Sequence, residues 1–111
     1  MMRFVISRQP SGEFQFHLKD TNGRPILWSP RYPTKKQCIN GIENIRGLAG
    51  HNDSFVGQWQ TESGRYIINV KNQEGHLLAM SSPFNSKYEY NRFIDKLNTE
   101  VKDAVQEDIT I

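Results

Sequence analysis

Apolar and polar side chains alternate from the start of the chain. Phe4 and Ile6 fall on one side of a predicted strand, Phe4 to Arg8, with Val5 and Ser7 on the other. Glu13 to Lys19 alternates more cleanly, with Phe14, Phe16 and Leu18 opposed to Glu13, Gln15, His17 and Lys19. Period two with one apolar face marks a half-buried antiparallel strand. Gln9-Pro10-Ser11-Gly12 supplies the turn between them, and Asp20-Thr21-Asn22-Gly23 predicts a hairpin, because Asn-Gly readily takes positive φ. A third strand is expected over Arg24 to Ser29, burying Ile26 and Trp28. After Pro30-Arg31-Tyr32-Pro33 the period changes. Cys38, Ile42, Ile45 and Ala49 follow at i, i+4, i+7 and i+11, the stripe of an amphipathic helix, and Thr34 with Gln37 forms a capping box at its start. Gly47 and Gly50 mark its end.

The same grammar returns 52 positions later without a gap. Gly64, Tyr66, Ile68 and Val70 stand where Gly12, Phe14, Phe16 and Leu18 stood; Ser86 and Glu89 repeat the capping box, and Tyr90, Ile94, Leu97 and Val101 repeat the stripe. Strands are predicted over Phe55 to Thr61, Arg65 to Lys71 and His76 to Ser81, with a turn at Glu62-Ser63-Gly64. The β-prone tail Ile109-Thr110-Ile111 is expected to add a last strand. A constant offset across strands, turns and helix reads as an internal duplication. The expected fold is a single α+β domain of two β-β-β-α repeats in tandem, residues 1–53 and 54–111. They share one mainly antiparallel sheet with two helices on one face and a pseudo-twofold axis. The opposite face should then be open and carry Gln15, His17, Lys19, Ile67, Asn69 and Lys71.

One run is specific enough to suggest a family. Gly12-x-Phe14-x-Phe16-x-Leu18-Lys19, Asn22-Gly23, Ser29-x-x-Tyr32-x-Thr34-Lys35 and Cys38-x-Asn40-Gly41-Ile42-x-x-Ile45-Arg46 together resemble the repeat of the YegP-like family of uncharacterised bacterial proteins. The resemblance implies either one repeat that dimerises or two in tandem, a single antiparallel sheet with helices on one side, and C-terminal strands exchanged between units. It brings no reaction or ligand with it. The second unit departs from the pattern where Asn40-Gly41-Ile42 becomes Arg92-Phe93-Ile94.

Composition narrows the function classes. The chain has 111 residues, 36% hydrophobic and 23% charged, a size that suits one domain; two units of half that length would each be marginal alone. No apolar run approaches the ~18 residues of a membrane span, and the first residues do not read as a signal peptide, so a cytoplasmic protein is expected. A single cysteine leaves no intramolecular disulfide. Net charge is only +2, yet the first 55 residues hold eight basic and four acidic side chains, and the remainder six and eight. The first half therefore leans toward an anionic partner.

Candidate chemistry is sparse. Cys38 lies in the first turn of a helix, where the dipole lowers a thiol pKa, but it also opens the apolar stripe, and core packing is the expected role. His17, His51 and His76 show no metal-ligand spacing, and no phosphate loop, nucleophile elbow or paired carboxylate appears. Arg24, Arg31, Lys35 and Lys36 gather near the first helix's N-terminus, where cations oppose the dipole and free N–H groups attract phosphate. Asn40, in the first copy alone, joins them. Trp28, Tyr32, Trp59 and Phe84 could stack on bases, but Tyr32 and Phe84 share one repeat position, which favours anchoring of the loop. The reading is a non-enzymatic binding or interaction module without cofactor, monomeric or homodimeric, acting on a protein partner through the open sheet face (Gln15, His17, Lys19) and the groove between repeats. The alternative is a nucleic-acid or phosphate-ligand binder using the basic first repeat.

Overall fold

The computed structural model describes residues 1–49, 55–60 and 65–110, with the backbone alone for 55–60. Seven strands form one sheet: β1 (Arg3–Arg8), β2 (Phe14–Lys19), β3 (Pro25–Trp28), β4 (Phe55–Gln60), β5 (Arg65–Lys71), β6 (Leu77–Ser81) and β7 (Val105–Asp108). Helices α1 (Lys35–Leu48) and α2 (Lys87–Glu100) follow β3 and β6. The predicted turn at 62–64, Gly50 and His51 lie outside the described residues.

The strand order is β4-β5-β6-β3-β2-β1-β7. Neighbours are antiparallel except β1 and β7, which run parallel with Arg3 opposite Val105 and Ile6 opposite Asp108. β7 reaches that edge after a 3₁₀ turn, Val101–Asp103, that packs against both helices. The added strand therefore precedes the tail where it was expected, over Val105–Asp108, because Val101 and Ala104 are buried and fix the exit of the chain before the tail begins. Two ion pairs fasten β7, Arg3–Glu107 at 3.2 Å and Lys35–Asp108 at 2.9 Å.

One core lies between sheet and helices. Phe4, Ile6, Phe16, Leu18, Leu27, Ile68 and Val70 from the sheet meet Cys38, Ile42 and Ile45 of α1 and Phe93 and Leu97 of α2 in a single buried cluster. Two details differ from the pattern read in the sequence. In β3 it is Leu27 that is fully buried, whereas Ile26 and Trp28 are half-buried, because Leu27 directly opposes core-facing Leu18 and cross-strand partners share a face. In α2 Phe93 is buried and Tyr90 and Ile94 are half-buried at the rim, because a large ring at position 93 takes the place nearest the sheet.

Local hydrogen bonds recur 52 positions apart. The Ser29 hydroxyl accepts from the Phe16 N–H at 3.0 Å and the Ser81 hydroxyl from the Ile68 N–H at 2.9 Å. Asp20 Oδ1 accepts from the N–H groups of Asn22 and Arg24, and Asn72 Oδ1 from those of Glu74 and His76, all at 2.9 Å. These turns close on Gly23 and Gly75 at φ 83° and 84°, which glycine alone adopts without strain. Thr34 and Ser86 cap the helices by accepting from the N–H of Gln37 and Glu89. In the first cap the Thr34 hydroxyl also donates to Gln37 Oε1 at 3.2 Å.

Candidate functional site

Three surfaces offer chemistry. The first is the sheet face away from the helices. Antiparallel register sets His17 opposite both Val5 and Trp28, Trp28 opposite Met80, and Met80 opposite Asn69, so these five residues form one row across the middle of the sheet. Side chains that are direct cross-strand partners share a face and touch. Val5 is buried, Trp28 half-buried, and Met80 41% exposed, so the row has an apolar centre open to a partner. Burial, then the nearby Lys19 charge, pushes the His17 pKa below its usual value, which keeps the imidazole neutral near pH 7. Gln15 is committed locally: its amide donates to the Ser29 carbonyl at 2.8 Å and its carbonyl accepts from Gln9 at 3.0 Å.

The second surface is the basic region at the start of α1. Lys35 is held by Asp108, while Arg31 and Lys36 are exposed. Arg24 sits at the β2–β3 turn and faces α2, the helix of the other half.

Two clefts form the third, each where a hairpin turn meets the helix of the other half. One, about 300 Å³, is lined by Tyr32, Gln37, Asn40 and Asn44 on one wall and Asn72, His76 and Leu78 on the other. The second, about 470 Å³, is lined by Phe84, Glu89, Arg92, Phe93 and Lys96 against Asp20, Arg24 and Ile26, with Met2 alongside. Residue by residue, the walls correspond at the offset of 52. Their chemistry does not correspond. The first is built mainly of carboxamides; the second carries three cations and two carboxylates.

Cys38 is fully buried, and burial pushes its thiol up to about 11, so the thiolate needed for nucleophilic attack is disfavoured. Among the described residues no group of three or more His, Cys, Asp or Glu is placed to hold a metal ion. No helix among them is long and apolar enough to cross a membrane.

With this geometry in view, residues 10–53 match the family described as a domain of unknown function, DUF1508. A UPF0339 protein encoded in the ptx operon 5′ region of Stutzerimonas stutzeri is 28% identical over 101 residues, 91% of this chain and 90% of that one. The UPF0339 protein YegP of Escherichia coli K12 is 25% identical over 81 residues, 73% of each chain. The solution structure of YegP from E. coli, a protein of unknown function, superposes with a TM-score of 0.88 at 21% identity, covering 98% of this chain and 93% of that one. That of a UPF0339 protein from Shewanella oneidensis gives 0.90 at 22% identity, covering 98% and 92%. The chain is similar to the YegP proteins in sequence and in fold. At these identities the solved structures speak for the fold alone: mixed α and β, one sheet with two helices.

In this chain the residues singled out from the sequence go to different places. Gln15, His17 and Lys19 share the helix-free face, Asn40 lines the carboxamide cleft, and Arg24 lines the charged one. Met80 on the sheet face, and Arg92 and Lys96 in the charged cleft, did not stand out, and Trp28 was expected on the buried side of its strand. A four-residue strand is too short to show a period, so nothing local placed Trp28. For the helix, the available signal was the disagreement between positions 52 apart, Asn40 against Arg92 and Asn44 against Lys96.

Proposed function

We propose that this YegP-like chain is a tandem duplication of a β-β-β-α unit, residues 1–53 and 54–111, that works as a cytoplasmic binding module without catalytic activity. Its partner is a protein, bound through the helix-free sheet face and the grooves between the units. The observation that carries this reading is the cross-strand row Val5–His17–Trp28–Met80–Asn69. A half-buried tryptophan and an exposed methionine, with Ile67 nearby and Lys19 and Lys71 flanking them, have the makeup of a protein interface: an apolar, aromatic centre with a polar rim. Tryptophan is also the residue that most often dominates such interfaces. The recurring serine, Asx-turn and cap hydrogen bonds support the duplication, because they reproduce geometry as well as sequence.

The nucleic-acid or phosphate reading is supported less, since Lys35 is neutralised by Asp108 and only Arg31 and Lys36 of the basic region remain for an anion there. Affinity capture from the native host's extract, with and without nuclease, tests both. A protein retained after nuclease treatment and lost with Trp28→Ala supports the sheet-face reading. Capture that disappears with nuclease, or with Arg31→Ala plus Lys36→Ala and not with Trp28→Ala, contradicts it.

A further inference from the structure

The two clefts share one backbone plan and differ in the side chains that line it, so each serves as a control for the other. In the smaller, Asn40, Asn44 and His76 occupy the positions that Arg92, Lys96 and Arg24 occupy in the larger. We propose that the larger cleft binds a small organic anion, a carboxylate or phosphate group carried on an apolar body. This goes beyond the reading above, in which a protein docks on the helix-free face, and does not depend on it.

Three cations converge there from two elements. Arg24 comes from the β2–β3 turn, and Arg92 and Lys96 from one face of α2, four residues apart. Among the described residues none of the three pairs with a carboxylate. The Arg92 guanidinium instead lies 5.8 Å from the centre of the Tyr88 ring, outside the core. Three cations against two carboxylates leave the cleft with a net positive charge, and an anion lowers the potential there. The two carboxylates of the cleft are occupied in other ways. Asp20 accepts from two backbone N–H groups of its own turn, at 2.9 Å each, and Glu89 sits in the first turn of α2, where the helix dipole favours its charge.

The floor explains why the ligand needs an apolar body. Ile26 and Phe84 are half-buried above buried Met2 and Phe93, so an inorganic ion would leave their exposed parts facing water. A volume of about 470 Å³ lies within the span of small-molecule sites, roughly 300–1,000 Å³. Hydrophobic walls with a few convergent charged groups are the usual makeup of such sites.

Titration of the isotope-labelled chain, followed by amide chemical shifts, tests the proposal with four probes: benzoate, phenyl phosphate, neutral benzamide and inorganic phosphate. At least one of the first two should shift Asp20–Ile26 and Phe84–Lys96 saturably, and their relative affinity identifies the head group. Benzamide and inorganic phosphate should bind at least about tenfold more weakly, as expected when either the charge-assisted bonds or the apolar contacts are missing. Arg92→Asn with Lys96→Asn, which installs the residues of the other cleft at exposed positions, should weaken anion binding about tenfold or more while the amide spectrum remains that of the folded chain. Trp28→Ala should leave the titration unaltered, so failure of the cleft and failure of the sheet face are read separately. No saturable shift with either organic anion, equal binding of benzamide, or full binding by the double variant would overturn the proposal.

Discussion

The Tyr32 hydroxyl stands 2.6 Å from the place a β-carbon on Gly41 would occupy, with Tyr32 Cζ and Phe16 Cε2 each 3.1 Å from it. A glycine in the middle of α1 is thus required by the ring laid across it. Tyr32 is pinned there by paired backbone hydrogen bonds with Phe14, 2.8 and 2.7 Å, and its ring stacks on Phe16 with centroids 6.3 Å apart. At the corresponding place in the second half, Phe93 packs on Phe84, which lacks the hydroxyl, at 5.2 Å. The Asn40-Gly41 pair therefore divides its labour: glycine admits the tyrosine, and Asn40 faces the cleft.

Gly41→Ala should destabilise the protein by about 1–3 kcal/mol through overpacking. The helix-propensity gain of about 1 kcal/mol from alanine only partly offsets this. Tyr32→Phe introduced into that variant removes the closest atom and should recover part of the loss. Thermal or urea unfolding of the single and double variants reads both effects.

Ser29→Ala and Ser81→Ala should cost similar amounts, about 1–3 kcal/mol each, because each strands a strand N–H in the interior. Both serines are buried, at 4% and 6% exposure, so water cannot readily replace the hydroxyl. Unfolding free energies that differ widely between the two would argue against equivalent halves.

Much of this fold was legible in the sequence because its devices are local. Alternation in β2, the Asn22-Gly23 turn and the two capping boxes each declare themselves within a few residues, and the offset of 52 declares the second half. The order of strands was not legible. β3 pairs with β6 through only Leu27–Ser81 and Trp28–Met80, and β7 crosses to β1, contacts made by residues remote in sequence and without a pattern of their own. The candidate surfaces were harder for the same reason. Trp28 and Met80 meet only when the two halves join, and Arg24 meets Arg92 only across the cleft.

His17 should make stability depend on pH. Its pKa is lowered in the folded state, so the folded chain binds fewer protons than the unfolded one below about pH 6.5. Stability should therefore fall as pH drops from the unfolded pKa toward the folded one, and stay level above it. His17→Gln should flatten the profile between pH 7 and 5, which unfolding measured across that range will show.

The β7 edge should loosen only in strong acid. Hydrogen bonds from the Thr110 side chain, then from Lys35, hold the Asp108 carboxyl at about 2. A depressed carboxyl pKa contributes stability that is complete above the unfolded value, near 4, and is lost as pH falls through about 2. Asp108→Asn should remove that dependence and speed amide exchange in β1 and β7, as hydrogen exchange would report.

Docking of a partner on the helix-free face should be visible residue by residue. Its most direct measurement is the amide and methyl spectrum of the labelled chain with the captured partner added. The account predicts that the largest changes fall on Val5, His17, Trp28, Met80 and Asn69, with the exposed side of α1 and α2 unchanged. Changes confined to the helices, with Trp28 and Met80 unmoved, would contradict it.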